Sequence, residues 1–389
     1  MKLSNIQVLR ACAALMLVVY HCGIETARLA AASGGGALFN VDPWGEGVPI
    51  FFAISGFIMV VTSADEFGSP AAAIHFMRRR TVRIAPIYWL VTTFALAAAL
   101  YAPNLMKAPP GDHHYIIASY LFWPAMNLAG YVRPLAAPGW TLNLEMLFYV
   151  VFAVALLFRR GAGLFLLFAS LGLLVAARVS GLLSGVPLNF WGDPIVLGFL
   201  FGAAIGIAFN KGWRLSTLSA ITLAAIGFAI IFLRWIPDGE ETALSMRLAE
   251  AAPATLILIA FALGPQIDDR LRLWRPALLI GDASYSLYLV HEFLLRLLSF
   301  LWLKGPAAIL PLWMFVPTGI AVASIAALTT YRYFERPVTR RLNGMDATRI
   351  VSLLGLGDAS AETASAAAGG NLPATVKRGA YRDRVVIAR

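Results

Sequence analysis

Charge is scarce in this chain: Asp, Glu, Lys and Arg make up 13% of its 389 residues, about half the share of an ordinary soluble domain. Hydrophobic residues make up 59%, and the mean hydropathy is +0.74. That balance leaves too little polar surface for a soluble globular enzyme, and too much apolar surface for a disordered chain. Cysteine is scarce too. Cys12 and Cys22 alone exclude a disulfide framework and a four-cysteine zinc site. Ten residues of helix would hold them about 15 Å apart, too far to pair, so they read as small buried hydrophobes. Acidic residues are outnumbered, 21 against 31 Lys and Arg, for a net charge of +10. No basic stretch carries the interleaved aromatics of a nucleic-acid stacking platform. His113 and His114 lack a third ligand in metal spacing, so no metal site is expected. AISGF around Ser55 is not a G-x-S-x-G elbow, which leaves a serine hydrolase unsupported.

What the chain has is long apolar runs. About ten stretches near spanning length can be marked, and the shorter ones must tilt or have snorkelling ends. They are 6–24, 47–64, 84–102, 142–158, 163–180, 194–209, 215–235, 251–265, 280–302 and 311–332. The first carries Arg10 and His21 within the run and lacks a clean cleavage site, so it reads as an uncleaved spanning helix. Basic residues recur in every second connection: Arg78, Arg79, Arg80 and Arg83; Arg159 and Arg160; Lys211 and Arg214; Arg270, Arg272 and Arg275; then Arg332, Arg336, Arg340 and Arg341. The positive-inside rule gives that alternation for an even number of spans with both termini cytoplasmic. The expected fold is therefore an all-α polytopic membrane protein of about ten helices, with a long outer loop between spans three and four. That loop, roughly 103–141, is rich in proline and glycine, and its apolar segment 115–130 reads as re-entrant or interfacial. Residues 1–342 form the membrane domain. The Ala-, Ser- and Thr-rich stretch 343–389 reads as a disordered cytoplasmic tail.

Ionisable residues within a span are costly and mark function. Arg10 and His21 are eleven residues apart, which leaves them about 20° apart around the helix and about 16 Å apart along it. Snorkelling of Arg10 and packing of His21 are the bland alternatives. Glu145, in PGWTLNLEMLFYV, opens span four from the outer side, at the depth expected of His21. It reads either as a helix-dipole partner or as half of a His–Glu base pair. Arg80 and Arg83 are one turn apart, in FMRRRTVRIAPIYW, and can face one anionic ligand; an ordinary topology signal is the alternative. In GDASYSLYLVHEFLL, Ser284, Tyr288 and His291 share a face, where a hydroxyl could hold a core histidine. Glu335, in YRYFERPVTRR, reads as a local ion pair with Arg332 and Arg336.

These segments together resemble the membrane-bound acyltransferase family 3, integral membrane O-acyltransferases that modify cell-surface carbohydrates. The resemblance runs from Ile6 to about Arg341. It rests on Arg10 and His21 in R-x10-H spacing, PIFFAISGFIM, Arg80 and Arg83 in R-x-x-R, GWTLNLEMLFY, GDASYSLYLVHE and YRYFERP. Each motif alone is weak, and their order makes the signal. The details are most like the exopolysaccharide-production (ExoZ-like) branch. The resemblance implies a multi-pass protein of the bacterial inner membrane, with an acyl-CoA co-substrate, most often acetyl-CoA, and no bound cofactor. Its other partners would be membrane lipids and a lipid-linked or polymeric saccharide acceptor. It implies acyl-CoA binding by Arg10, Arg80 and Arg83 and catalysis by His21 with Glu145. His291, Tyr288, Trp140 and Asn143 form a second tier. His21 could act as general base or carry a transient acyl group. The 343–389 tail is too short for an SGNH-type esterase domain, so acceptor handling is expected in the membrane domain or by a partner. A flippase or transporter for a lipid-linked saccharide is the competing class, and a structural protein of an export complex the third.

Overall fold

A backbone in hydrocarbon must satisfy its own N–H and C=O groups, so runs of this length and apolarity become helices. The computed structural model describes residues 3–31, 35–101, 111–233, 243–305 and 309–344; the tail beyond 344 lies outside them. Among these residues the regular structure is helical, apart from one isolated antiparallel bridge, Met126–Val132. In chain order the helices are α1 (Ser4–Ala31), α2 (Asp42–Gly45), α3 (Gly47–Thr62), α4 (Pro70–Tyr101), α5 (His113–Tyr120), α6 (Gly139–Leu156) and α7 (Arg160–Val179). There follow α8 (Val186–Trp191), α9 (Leu197–Asn210), α10 (Thr217–Leu233), α11 (Ala243–Leu263), α12 (Arg275–Asp282), α13 (Ser284–Trp302), α14 (Phe315–Thr330) and α15 (Arg336–Gly344).

Each marked apolar stretch holds a helix. Seven helical segments are long and apolar enough to cross a membrane: α1, α2 with α3, α4, α6, α7, α11, and the run Leu312–Gly344. α9 and α10 are apolar but shorter. α13 carries His291, Glu292 and Arg296 within its 19 residues. The multi-pass character is thus plain.

The structure departs from the sequence expectation at two places. The arginines expected in a connection before span three lie inside α4, which starts at Pro70. The alanines after Pro70 are strong helix formers, and proline suits a first helical position, so the helix is established before the arginines are reached. Glu335, expected to pair with Arg332 and Arg336, is buried instead and accepts a hydrogen bond from Ser286 Oγ at 2.5 Å. The cause is local: Tyr331–Glu335 is a π-helical turn between α14 and α15, which rotates Glu335 inward while Arg332 lies over the Tyr333 ring.

α1 is the axis of the bundle. It packs against α3, α12, α13 and α14, and even its polar Ser4, Asn5, Gln7, Arg10, Glu25 and Thr26 are buried. Asn5 shows how such polarity is accommodated. Its amide donates to the carbonyls of Phe261 and Pro265 at 3.0 and 2.9 Å and accepts from Ile267 N at 2.8 Å, which satisfies the frayed end of α11. The connection between α4 and α6 is fastened to α4. Tyr88 Oη donates to Ser119 O at 2.7 Å, and Trp89 Nε1 donates to Tyr120 O at 2.8 Å, both at α5. Eight residues make α5 too short to cross.

α3 and α9 approach each other closely, backbone to backbone. Lipid tails give helices no hydrophobic reason to associate, so small residues and close contact do that work. Gly198, Gly202 and Gly206 repeat every fourth residue along α9. A Cβ on Gly202 would fall 1.8 Å from Ala53 O, and one on Gly56 would fall 1.9 Å from Phe199 O. Gly202→Val must push α3 outward, and with it Ser55 and the wall of the cavity described next. We expect a loss of thermal stability in detergent worth about 1–3 kcal/mol or more. Gly172→Val on α7, where an added Cβ meets nothing within 4 Å, serves as the control.

Candidate active site

Five helices line a pocket between them. α1 contributes Arg10, α4 contributes Arg80 and Arg83, α6 contributes Thr141, Glu145 and Tyr149, and α13 contributes Ser284, Tyr285 and Tyr288. α3 supplies an apolar wall from Val48 to Met59, interrupted by Ser55. Cationic and hydroxyl groups thus converge on an otherwise apolar space, the composition of a small-molecule site.

The charges in it are held unequally. Arg10 Nη1 donates to Gln7 Oε1 at 3.1 Å, one turn back on α1. Arg80 rests between two rings, its Cζ 5.6 Å from the Phe76 centroid and 5.9 Å from that of Tyr149. Its Nε is buried with no hydrogen-bond partner. Neither Arg80 nor Arg83 has a carboxylate within ion-pair distance among the described residues, whereas Arg79, their neighbour, is paired with Glu66 at 3.0 Å. Glu145 is the carboxylate lining the cavity. Ser55 Oγ donates to its Oε1 at 3.0 Å, and Tyr149 Oη donates to the same atom at 2.5 Å. Tyr149 therefore touches both the acid and, through its ring face, Arg80.

The histidines lie beyond the cavity. His21 on α1 and His291 on α13 stack edge to face with ring centroids 4.9 Å apart. His291 is 1% exposed, and its Nδ1 is 2.9 Å from Leu287 O. A carbonyl oxygen only accepts, so Nδ1 carries the proton and Nε2 holds the lone pair. That Nε2 is buried without a partner. Tyr288 stands between the two groups of residues, lining the cavity with one part and facing His291 at 6.1 Å between rings.

The structure therefore brings Arg10, Arg80, Arg83, Glu145 and Tyr288 to one cavity, and His21 to His291. His21 does not line that cavity, and the Oε1 of Glu145 accepts from Ser55 and Tyr149. α6 begins at Gly139, so Glu145 lies about 9 Å along the helix rather than in its first turn. Asn143 is 2% exposed with a buried, unpartnered Oδ1, and Trp140 is partly buried against the core; neither lines the cavity. Ser55, Thr141, Tyr149 and Tyr285 line it without having been singled out as site residues in the sequence. Only Tyr149 carried a usable signal, one turn beyond Glu145.

The chain matches the acyltransferase domain of acyltransferase family 3 over residues 3–332. It is 34% identical over 310 residues to the exopolysaccharide production protein ExoZ of Rhizobium meliloti, a match covering 76% of this chain and 89% of that protein. It is 23% identical over 376 residues to the O-acetyltransferase OatA of Staphylococcus aureus, covering 87% of this chain and 57% of that protein. No solved structure matches it. The family match spans both the cavity and the histidine pair, and the chain belongs to acyltransferase family 3.

Proposed function

We propose that the protein moves an acyl group, most simply acetyl, from acyl-CoA at the inner face of a bacterial inner membrane to a hydroxyl of a cell-surface or exopolysaccharide sugar. The observation that carries this reading is the pair Arg80 and Arg83, turned into a cavity in which neither has a carboxylate at ion-pair distance among the described residues, the lining Glu145 accepting from Ser55 and Tyr149. A half-buried cation with no ion-pair partner in an apolar space is costly, and an anionic ligand supplies what is missing. Guanidinium groups bind phosphates bidentately, and coenzyme A carries phosphates. The names of two relatives point the same way: one is an exopolysaccharide production protein, the other an O-acetyltransferase.

In this reading ten helices cross the membrane, with both termini cytoplasmic and residues 343–389 forming a cytoplasmic tail. Arg10, Arg80 and Arg83 then lie toward the inner side, and His21 with His291 toward the outer side. The donor enters from the cytoplasm and presents its thioester toward the histidines. His21 takes the proton of the acceptor hydroxyl, and the resulting oxygen attacks the thioester carbonyl. The C–S bond breaks, coenzyme A leaves as the thiol with a proton returned from the histidine, and the sugar carries the ester. His291, with its free Nε2, shares in holding or relaying that proton. Glu145 fixes the Ser55–Tyr149 network beside the donor and offsets part of the arginine charge.

Two outcomes follow. Purified protein in nanodiscs, given radiolabelled acetyl-CoA and a lipid-linked oligosaccharide extract, should transfer label to saccharide. His21→Ala should lose at least about 100-fold of that rate while still binding coenzyme A; equal rates would move the base elsewhere. Arg80→Gln and Arg83→Gln should each weaken coenzyme A binding by roughly tenfold, read by calorimetry, with melting temperatures unchanged. Undiminished binding in both would favour a flippase over an acyltransferase.

A further inference from the structure

We infer that Tyr288 is the partition between the donor cavity and the histidine pair, and that its ring sets the length of acyl group the enzyme accepts. The inference rests on the acyltransferase reading above and adds to it a residue that determines donor specificity.

The geometry follows the two helices that reach both places. On α1, Arg10 lines the cavity and His21 lies about 16 Å further along. On α13, Ser284, Tyr285 and Tyr288 line the cavity, and His291 follows one turn later with its ring against His21. Tyr288 is the last residue of α13 to line the cavity and the one whose ring also faces a histidine, at 6.1 Å. The ring also meets Phe51 of α3 at 6.2 Å, another cavity residue. The acyl group of a donor whose coenzyme A phosphates are held by the arginines must pass this ring, or stop against it, to meet a base at His21.

The ring is also held in place. Tyr288 Oη donates to Pro138 O at 2.9 Å and lies 2.7 Å from Thr141 Oγ1, which itself donates to Pro138 O at 3.2 Å. Pro138 immediately precedes α6, where the connection from α4 enters the bundle. A side chain anchored at its tip to another helix cannot swing aside as an unanchored one would, so the space it leaves is fixed. A short acyl group fits that space, whereas each added methylene in a closed pocket is discriminated by about 10- to 200-fold.

The test uses full-length protein in nanodiscs with acetyl-, butyryl- and hexanoyl-CoA, each labelled in the acyl group, and the lipid-linked oligosaccharide extract as acceptor. The wild type should favour acetyl. Tyr288→Ala and Tyr288→Leu should raise the hexanoyl-to-acetyl ratio of kcat/KM by about tenfold or more. Tyr288→Phe keeps the ring but loses its anchor, and its hexanoyl-to-acetyl ratio should fall between that of the wild type and that of Tyr288→Ala. Active Ala and Leu variants with the wild-type order would overturn the inference. So would loss of transfer from all donors in both variants while Tyr288→Phe remains active, because a partition once removed must pass the longer chain. A wild type that transfers from none of the thioesters would instead overturn the acyltransferase reading beneath it.

Discussion

A guanidinium group within a membrane protein has to be paired, hydrated or used, because leaving it bare in an apolar surround is among the costliest arrangements available. Arg79 is paired with Glu66, and Arg28 and Arg296 share the buried carboxylate of Glu25. Arg10, Arg80 and Arg83 follow another course. They converge on one cavity whose lining carboxylate, Glu145, is itself held by two hydroxyls. The bundle is arranged around that concentration of positive charge, and the proposed function is an account of what neutralises it.

The helices serve this arrangement in distinct ways. α1 runs through the bundle buried on nearly every side, so it can present Arg10 to the cavity and His21 to α13 on a single rigid element. α4 continues as one helix through its arginines and past Pro86, which fixes Arg80 and Arg83 relative to the span instead of leaving them on a loop. The glycines of α9 allow α3 to sit close, and α3 carries both the apolar wall and Ser55. Rigidity of this kind favours a reaction in which donor and acceptor must meet at a set geometry.

Much of this was legible in the chain, for reasons specific to each feature. The shared face of Arg10 and His21 follows from helical angle alone, as does that of Tyr288 and His291, and the structure keeps both relations. The all-helical architecture followed from apolar length. Depth was harder. The start of α6 lies three residues before the apolar run at 142–158, which sets Glu145 deeper along the helix, where Ser55 and Tyr149 donate to it. Hydroxyl residues such as Ser55 and Thr141 are too common to stand out until neighbouring helices place them. Glu335 was misjudged because a π-helical turn changes which way a side chain faces, and periodicity assumes regular turns.

The central claim is that the arginine cavity recognises the phosphates of an acyl donor. Calorimetric titration of the wild-type protein with coenzyme A, dephospho-coenzyme A and pantetheine tests it most directly. Affinity should fall at each loss of phosphate, weaken as salt is raised, and vanish for pantetheine. Pantetheine binding as tightly as coenzyme A, with no dependence on salt, would contradict it.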